Sequence, residues 1–109
     1  MPVKSVAMET QHYFFKLIPP RPTFPADITS DEAALMERHR VYCAERFAAG
    51  KLLAYGPVLV PGAAFGLAIL EVADEAEARN FGDNDPSVLG GLNRFEIHPM
   101  RLIASRAKS

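Results

Sequence analysis

The chain has 109 residues, of which 49% are hydrophobic and 23% are charged, and its formal net charge is −1 at pH 7. This length fits one domain, and the composition is typical of a folded protein rather than of a disordered chain. The small net charge gives no general attraction to nucleic acid or to anionic lipid, and the single cysteine, Cys43, excludes an internal disulfide.

The N-terminal residues 1–9 contain no long apolar run of the kind that directs secretion, and no stretch of the sequence approaches the length of a membrane span. We therefore expect a soluble, cytoplasmic protein with no membrane partner. The sequence predicts a single domain over residues 1–109, with flexible ends at 1–9 and 105–109.

The first predicted element is a strand over residues 11–18, because QHYFFKLI is rich in aromatic and β-branched residues. The strand is apolar on both faces, with Phe15 on one face and Phe14 on the other. Four prolines then follow within residues 19–28. They predict a stiff loop that stops regular strand pairing.

A long amphipathic helix is predicted next, from the capping box Thr29-x-x-Glu32 to a stop at Gly50. Its apolar stripe, at helical spacing, consists of Leu35, Met36, His39, Tyr42, Cys43 and Phe47. His39 is an ionisable residue in the middle of this stripe, and we take it as the centre of function. The alternative is a core histidine that is hydrogen-bonded to a backbone carbonyl, which the pattern alone favours.

Two strands are predicted after the helix. They cover residues 52–60 and 63–72 and are joined by a tight turn at Pro61-Gly62. The dipeptide Gly56-Pro57 inside the first of them indicates a bulge, a bend or an edge position, because proline has no N–H group to donate to a strand ladder. The second strand is again apolar on both faces.

The last third of the chain predicts a short helix and a final strand. A second capping box, Asp74-x-x-Glu77, opens a helix that runs through Phe81. Residues 87–91 are predicted to form a tight turn or a short 3₁₀ piece. Residues 92–104 are predicted to form a strand that is interrupted at Pro99.

The element order is β-α-β-β-α-β, which predicts an α+β, ferredoxin-like fold with two helices on one face of a four-stranded antiparallel sheet. The first and third strands are apolar on both faces, whereas the helices cover one face. Soluble monomers avoid large exposed apolar surfaces. We therefore expect the free face to pack against the same face of an identical subunit, which gives a homodimer.

Several segments, taken in this order, resemble the YCII-related (YciI-like) family: RHRVYCAERFAAGKLLAYGP, then NDPSVLGGL and FEIHPM. The resemblance covers residues 12–103. It implies a ferredoxin-like fold that dimerises into an α/β barrel, and a His-Asp active site whose catalytic residues map onto His39 and Asp85. Some relatives are associated with the elimination of chloride from chlorinated ring intermediates, and related barrels include muconolactone isomerases.

A histidine held by a carboxylate suits general acid–base chemistry, because the carboxylate fixes the tautomer and stabilises the imidazolium. We therefore predict a cofactor-independent lyase or isomerase on a ring-derived metabolite, in which His39 moves the proton and Asp85 orients it. An Asp-Pro turn without catalytic meaning is the alternative for Asp85. For the whole protein, the alternatives are a non-catalytic ligand-binding or accessory dimer and a purely structural dimer module.

The predicted substrate-binding residues are Tyr13, Arg38, Tyr55 and Ser87. Packing or surface positions are the alternative for the first three, and Ser87 replaces an aromatic residue that often follows Asp-Pro in the family. No metal or other cofactor is predicted, because the three histidines lack ligand spacing and the pair His39/Cys43 offers two ligands only. Nucleic acid is not an expected partner, since no interleaved basic and aromatic face is present.

Overall fold

A computed structural model describes residues 10–106 of the chain. In that range the elements are β1 (Gln11–Ile18), α1 (Ser30–Ala48), β2 (Leu52–Val58), β3 (Phe65–Val72), α2 (Glu75–Asp83), α3 (Pro86–Leu89) and β4 (Arg94–Met100). The arm predicted at residues 1–9 and the end of the tail, residues 107–109, lie outside the described part. None of the helices in the described range has the length and apolar composition that crossing a membrane requires.

Within residues 10–106 four strands form one antiparallel sheet in the order β2-β3-β1-β4. This order confirms the α+β, ferredoxin-like arrangement. Alternate residues of β1 are buried beneath the helices, namely Tyr13, Phe15 and Leu17. They belong to one core cluster that also contains Ala78 and Phe81 of α2. The core therefore lies between the helices and one face of the sheet.

The two strands that contain a proline are the edges of this sheet. β2 contains Pro57, and β4 continues through Pro99, which lies opposite Tyr13 in the register. An edge strand pairs on one side only, so a residue without an N–H group can face outward. The edge position predicted for Gly56-Pro57 is thus confirmed, and the predicted interruption of the last strand at Pro99 is wrong.

β1 has the predicted bounds, whereas the other three strands are shorter than predicted. Residues 59–64 form the loop between β2 and β3, and the predicted turn at Pro61-Gly62 lies inside it, closed by a hydrogen bond from the N–H of Ala63 to the carbonyl of Val60 at 2.9 Å. Leu59 is 79% exposed, so further pairing there would not bury its side chain. The final strand covers Arg94–Met100 rather than residues 92–104, and α3 is one turn of α-helix rather than a tight turn or a 3₁₀ piece.

The predicted capping box opens α1. The Thr29 hydroxyl accepts from the backbone N–H of Glu32 at 3.2 Å, and the Glu32 carboxylate accepts from the N–H of Thr29 at 3.0 Å. Gly50 follows the helix with a φ of +82°, the left-handed conformation that glycine adopts without strain. Of the α1 side chains, all within the described range, Cys43 alone is buried. The apolar stripe of α1 therefore faces the sheet without packing tightly against it.

Candidate active site

A cavity of about 420 Å³ lies between α1 and the sheet, and it explains the loose packing of the helix. Its walls are mostly apolar and include Phe15 and Leu17 of β1, Ala68 of β3 and Phe81 of α2. The proline-rich loop contributes Pro19, Phe24, Pro25 and Ile28. The volume lies in the range of small-molecule sites, and an apolar lining with few polar groups is typical of them.

His39 and Asp85 meet at the wall of this cavity. The Nδ1 atom of His39 lies 2.7 Å from Oδ2 of Asp85, and the His39 ring lines the cavity. Because an ionised carboxylate can only accept, Nδ1 carries the proton of this hydrogen bond. In the neutral ring Nε2 is therefore the unprotonated nitrogen, which is the tautomer that a general base requires.

Asp85 is fully buried and every part of its carboxylate is engaged. Its Oδ1 accepts from the backbone N–H of Ser87 at 2.8 Å and from the Ser87 hydroxyl at 2.9 Å. Asp85 is thereby the N-cap of α3, with Pro86 in the first turn. The turn role and the contact with the histidine coexist, since one oxygen caps the helix and the other holds the imidazole of His39.

The charge of the histidine follows from these contacts. Burial of the ring lowers the pKa of His39, but the hydrogen bond to the Asp85 carboxylate, with a further contribution from Cys43, outweighs burial and raises the pKa to about 10. At neutral pH the ring is then an imidazolium paired with a carboxylate. In this state it donates a proton, and it accepts one at higher pH.

Cys43 lies one helical turn after His39 and contacts its ring. The sulfur is 3.8 Å from both ring nitrogens, so it lies off the in-plane axis of each. Ligand atoms of His39, Cys43 and Asp85 lie within 4.8 Å of one another and could together hold a metal ion. His39 and Cys43 are one helical turn apart in the sequence, and no metal was predicted because two ligands are too few for a site. Coordination by all three would require repacking, because both oxygens of Asp85 already accept hydrogen bonds.

The predicted substrate-binding residues differ in position. Tyr55 lines the cavity and is 43% exposed. Ser87 is buried and holds Asp85 rather than lining the cavity, whereas Tyr13 is a core residue whose hydroxyl donates to Gln11 at 3.1 Å. Arg38 is exposed on α1 and does not line the cavity.

Sequence reasoning did not identify Asn93, a polar residue in the cavity wall that is 5% exposed. It lies immediately before β4, in a segment that we expected to belong to the final strand. No sequence motif identifies Asn93 as a cavity residue. It is recognised from its burial in the cavity wall, which is a property of the folded chain.

The family model described as the YCII-related domain matches residues 14–101. Among solved structures, the chain is similar to 5-chloro-2-hydroxyhydroquinone dehydrochlorinase (TftG) from Burkholderia phenoliruptrix AC1100, in complex with 2,5-dihydroxybenzoquinone. The TM-score is 0.56 at 18% sequence identity, and the similarity covers 82% of this chain and 93% of that one. Similarity at this identity shows a shared fold. No curated protein matches the chain.

Proposed function

The chain belongs to the YCII-related domain family, and from this premise we propose that it is a small-molecule enzyme whose acid–base pair is His39 and Asp85. The proposed reaction is a lyase or isomerase step on a ring-derived metabolite, resembling dehydrochlorination or muconolactone isomerisation. The dehydrochlorinase that shares the fold is named for a chlorinated hydroxyhydroquinone, and this supports a substrate of similar ring chemistry for the present chain.

The observation that carries the proposal is the hydrogen bond of 2.7 Å between His39 and Asp85 at the edge of a mostly apolar cavity. An ionisable pair with a strongly shifted pKa in a cavity of ligand size is typical of catalytic sites. The apolar walls suit the faces of a ring, and they keep water away from the proton that is transferred.

The proposed step is a proton transfer at Nε2 of His39. In an elimination, Nε2 of the neutral ring takes a proton from a carbon of the ligand, the electron pair of the broken C–H bond forms a double bond, and the leaving group departs with the electron pair of its own bond. In an isomerisation, the same nitrogen returns the proton to another carbon. Asp85 stabilises the imidazolium in both cases, and acid–base assistance of this kind contributes roughly 10²–10⁴-fold.

The test is turnover of a candidate substrate by wild-type protein and by the variants His39→Gln and Asp85→Asn. Candidates are chlorinated and hydroxylated hydroquinones and ring-cleavage lactones, selected by the rise in melting temperature that a bound ligand causes. We expect both variants to lose activity by roughly 10²–10⁴-fold. The control is Asn80→Ala on the exposed surface of α2, which should retain activity. Full activity in His39→Gln would refute the assignment.

A second candidate function is non-catalytic binding of an anionic ring compound. The raised pKa of His39 favours it, because an imidazolium in an apolar cavity attracts a phenolate or enolate oxygen at neutral pH. Binding without turnover at any pH, with affinity lost in His39→Gln, would select this function over catalysis. A rise of kcat/KM with pH towards 10 would select catalysis by the neutral ring.

We further propose that the active form is a homodimer that is formed through the face of the sheet opposite the helices. Residues of β1 and β3 on that face are partly exposed, and they include Phe14 and Ile69, which are register partners. Covering these side chains would remove apolar surface from water, as the α/β barrel of the family implies.

A further inference from the structure

Asn93 is a cavity residue with a buried polar atom that has no hydrogen-bond partner. It lines the cavity and is 5% exposed. Among the buried side-chain nitrogen and oxygen atoms of the described residues, its Oδ1 is the one without a hydrogen-bond partner. Buried polar groups are normally paired, and an unpaired acceptor in the wall of a cavity points to a donor supplied by a ligand.

The orientation of the Asn93 amide follows from its neighbour. Nδ2 donates to the sulfur of Met36 at 3.4 Å, and a thioether sulfur carries no proton, so it can only accept. The NH₂ group therefore faces Met36, and the carbonyl oxygen is the atom that lacks a partner. The χ2 torsion of asparagine is soft, so a small rotation can turn Oδ1 to a donor in the cavity.

The position of Asn93 relative to the acid–base pair is fixed by two parallel contacts. Met36 and His39 are three residues apart on one face of α1, a rise of ~4.5 Å along the helix. Their partners, Asn93 and Asp85, are joined through Ser87, whose carbonyl accepts from the N–H of Asn93 at 3.0 Å and whose hydroxyl donates to Asp85. The ring of His39 and the side chain of Asn93, which contacts Met36, both line the cavity, and the spacing of Met36 and His39 puts them about one helical turn apart.

We propose that Asn93 is a specificity-determining residue, whose side-chain carbonyl accepts a hydrogen bond from a hydroxyl group of the ligand. This inference rests on the proposed function of the same cavity. With one substituent at His39 and a hydroxyl at Asn93, the ligand is a ring whose two oxygen substituents lie across it, meta or para, rather than on adjacent carbons. A ligand that lacks the second hydroxyl leaves Oδ1 unpaired and is rejected.

The test compares dissociation constants for four phenols that differ in the second oxygen: hydroquinone, resorcinol, catechol and 4-methoxyphenol. Wild-type protein should bind hydroquinone or resorcinol at least about tenfold more tightly than 4-methoxyphenol, and catechol less tightly than the preferred isomer. Leucine has a similar volume to asparagine and no polar side-chain atom. In Asn93→Leu the dissociation constant for 4-methoxyphenol should therefore be nearly equal to that for hydroquinone or resorcinol. The matched control is Asn80→Ala on the exposed surface of α2, which should keep the wild-type ratio.

A measurement on wild-type protein covers the case in which Asn93→Leu does not fold. The side-chain amide signals of Asn93 in ¹⁵N NMR spectra should shift when hydroquinone or resorcinol is added, and much less with 4-methoxyphenol. Two results would overturn the inference. One is a folded Asn93→Leu protein with the wild-type ratio of dissociation constants, and the other is an Asn93 amide whose chemical shifts change equally with hydroquinone, resorcinol and 4-methoxyphenol.

Failure of the inference can be told apart from failure of the proposed function. If phenols bind in a manner that depends on His39 but not on Asn93, the acid–base proposal stands and the role of Asn93 falls. If wild-type protein binds none of the four phenols, both the ligand class and the role of Asn93 are refuted.

Discussion

At the scale of single residues, the chemistry of the chain is concentrated in one imidazole whose charge depends on one carboxylate. Asp85 could not hold His39 if its other oxygen were not satisfied by Ser87, because a half-paired buried carboxylate is costly. The same contact network therefore stabilises α3 and sets the protonation state of the histidine.

This coupling predicts how stability depends on pH. The pKa of His39 is raised from 6.5 to about 10 on folding, so the protonated ring stabilises the folded state. The contribution is complete below pH 6.5 and is lost as the pH rises through 10. The measurement is the free energy of unfolding in urea for wild-type protein and for Asp85→Asn between pH 6 and 10. The wild-type value should fall relative to that of the variant by an amount of the order of a few kcal/mol. A constant difference between the two proteins would contradict the linkage.

The residues of the site were predictable to different degrees. His39 was detectable because it interrupts an apolar stripe at helical spacing, a purely local pattern. Asp85 came from the family resemblance, since Asp-Pro alone predicts only a turn. Asn93 was not predictable, because an unpaired oxygen in a cavity wall is a property of tertiary packing.

At the scale of elements, the loop of residues 19–28 is fastened to the start of α1 by Arg21. Its guanidinium donates to both carboxylate oxygens of Asp27 at 3.0 Å and to both of Glu32 at 2.8 Å. The hydrogen bond and charge of Arg21 lower the pKa of Glu32 to about 2. Bidentate pairs of this kind fix geometry as well as charge. The loop carries Phe24, which is 8% exposed and lines the cavity, so its position shapes the site.

The variant Arg21→Met should therefore weaken ligand binding. It keeps most of the side-chain volume but removes the hydrogen bonds to Asp27 within the loop and those to Glu32 that join the loop to α1. We expect the dissociation constant to rise several-fold, mainly through faster dissociation, and calorimetry or stopped-flow fluorescence would measure it. The control is Arg79→Met, which removes an exposed pair with Glu75. Equal affinities in Arg21→Met and wild-type protein would show that the loop does not shape the site.

The elements also show what local sequence can and cannot specify. The N-caps Thr29 and Asp74 predicted the starts of α1 and α2, because their hydrogen bonds join neighbours in the chain. The full capping box forms at Thr29, whereas the Glu77 carboxylate accepts from the N–H of Ala73 instead of from Asp74. The continuation of β4 through Pro99 was missed, since proline is tolerated only where the strand lies at an edge. Strand order is a long-range property, and β propensity does not contain it.

At the scale of the whole molecule, the proposed homodimer makes the face opposite the helices an interface. Ile69 lies on that face, opposite Phe14, whose ring stacks on His98 with centroids 6.1 Å apart. A lysine at position 69 would place a charge in the apolar part of the interface. Light scattering coupled to size exclusion should show a dimer for wild-type protein and a monomer for Ile69→Lys.

The control for this prediction is Leu59→Lys, in the exposed loop between β2 and β3, which should remain dimeric. A monomeric wild-type protein, or a dimeric Ile69→Lys, would place the interface elsewhere or remove it. Either outcome would leave the cavity and the acid–base pair unaffected, because both lie on the other face of the sheet.

The interaction of His39 with Asp85 is most directly tested by an NMR titration of the His39 ring carbons and nitrogens between pH 5 and 11. For wild-type protein we expect a pKa far above 6.5, near 10, with proton loss from Nε2 and retention on Nδ1. Asp85→Asn should lower this pKa by removing the carboxylate. A wild-type His39 that titrates near 6.5, or whose pKa does not change in Asp85→Asn, would contradict the acid–base pair.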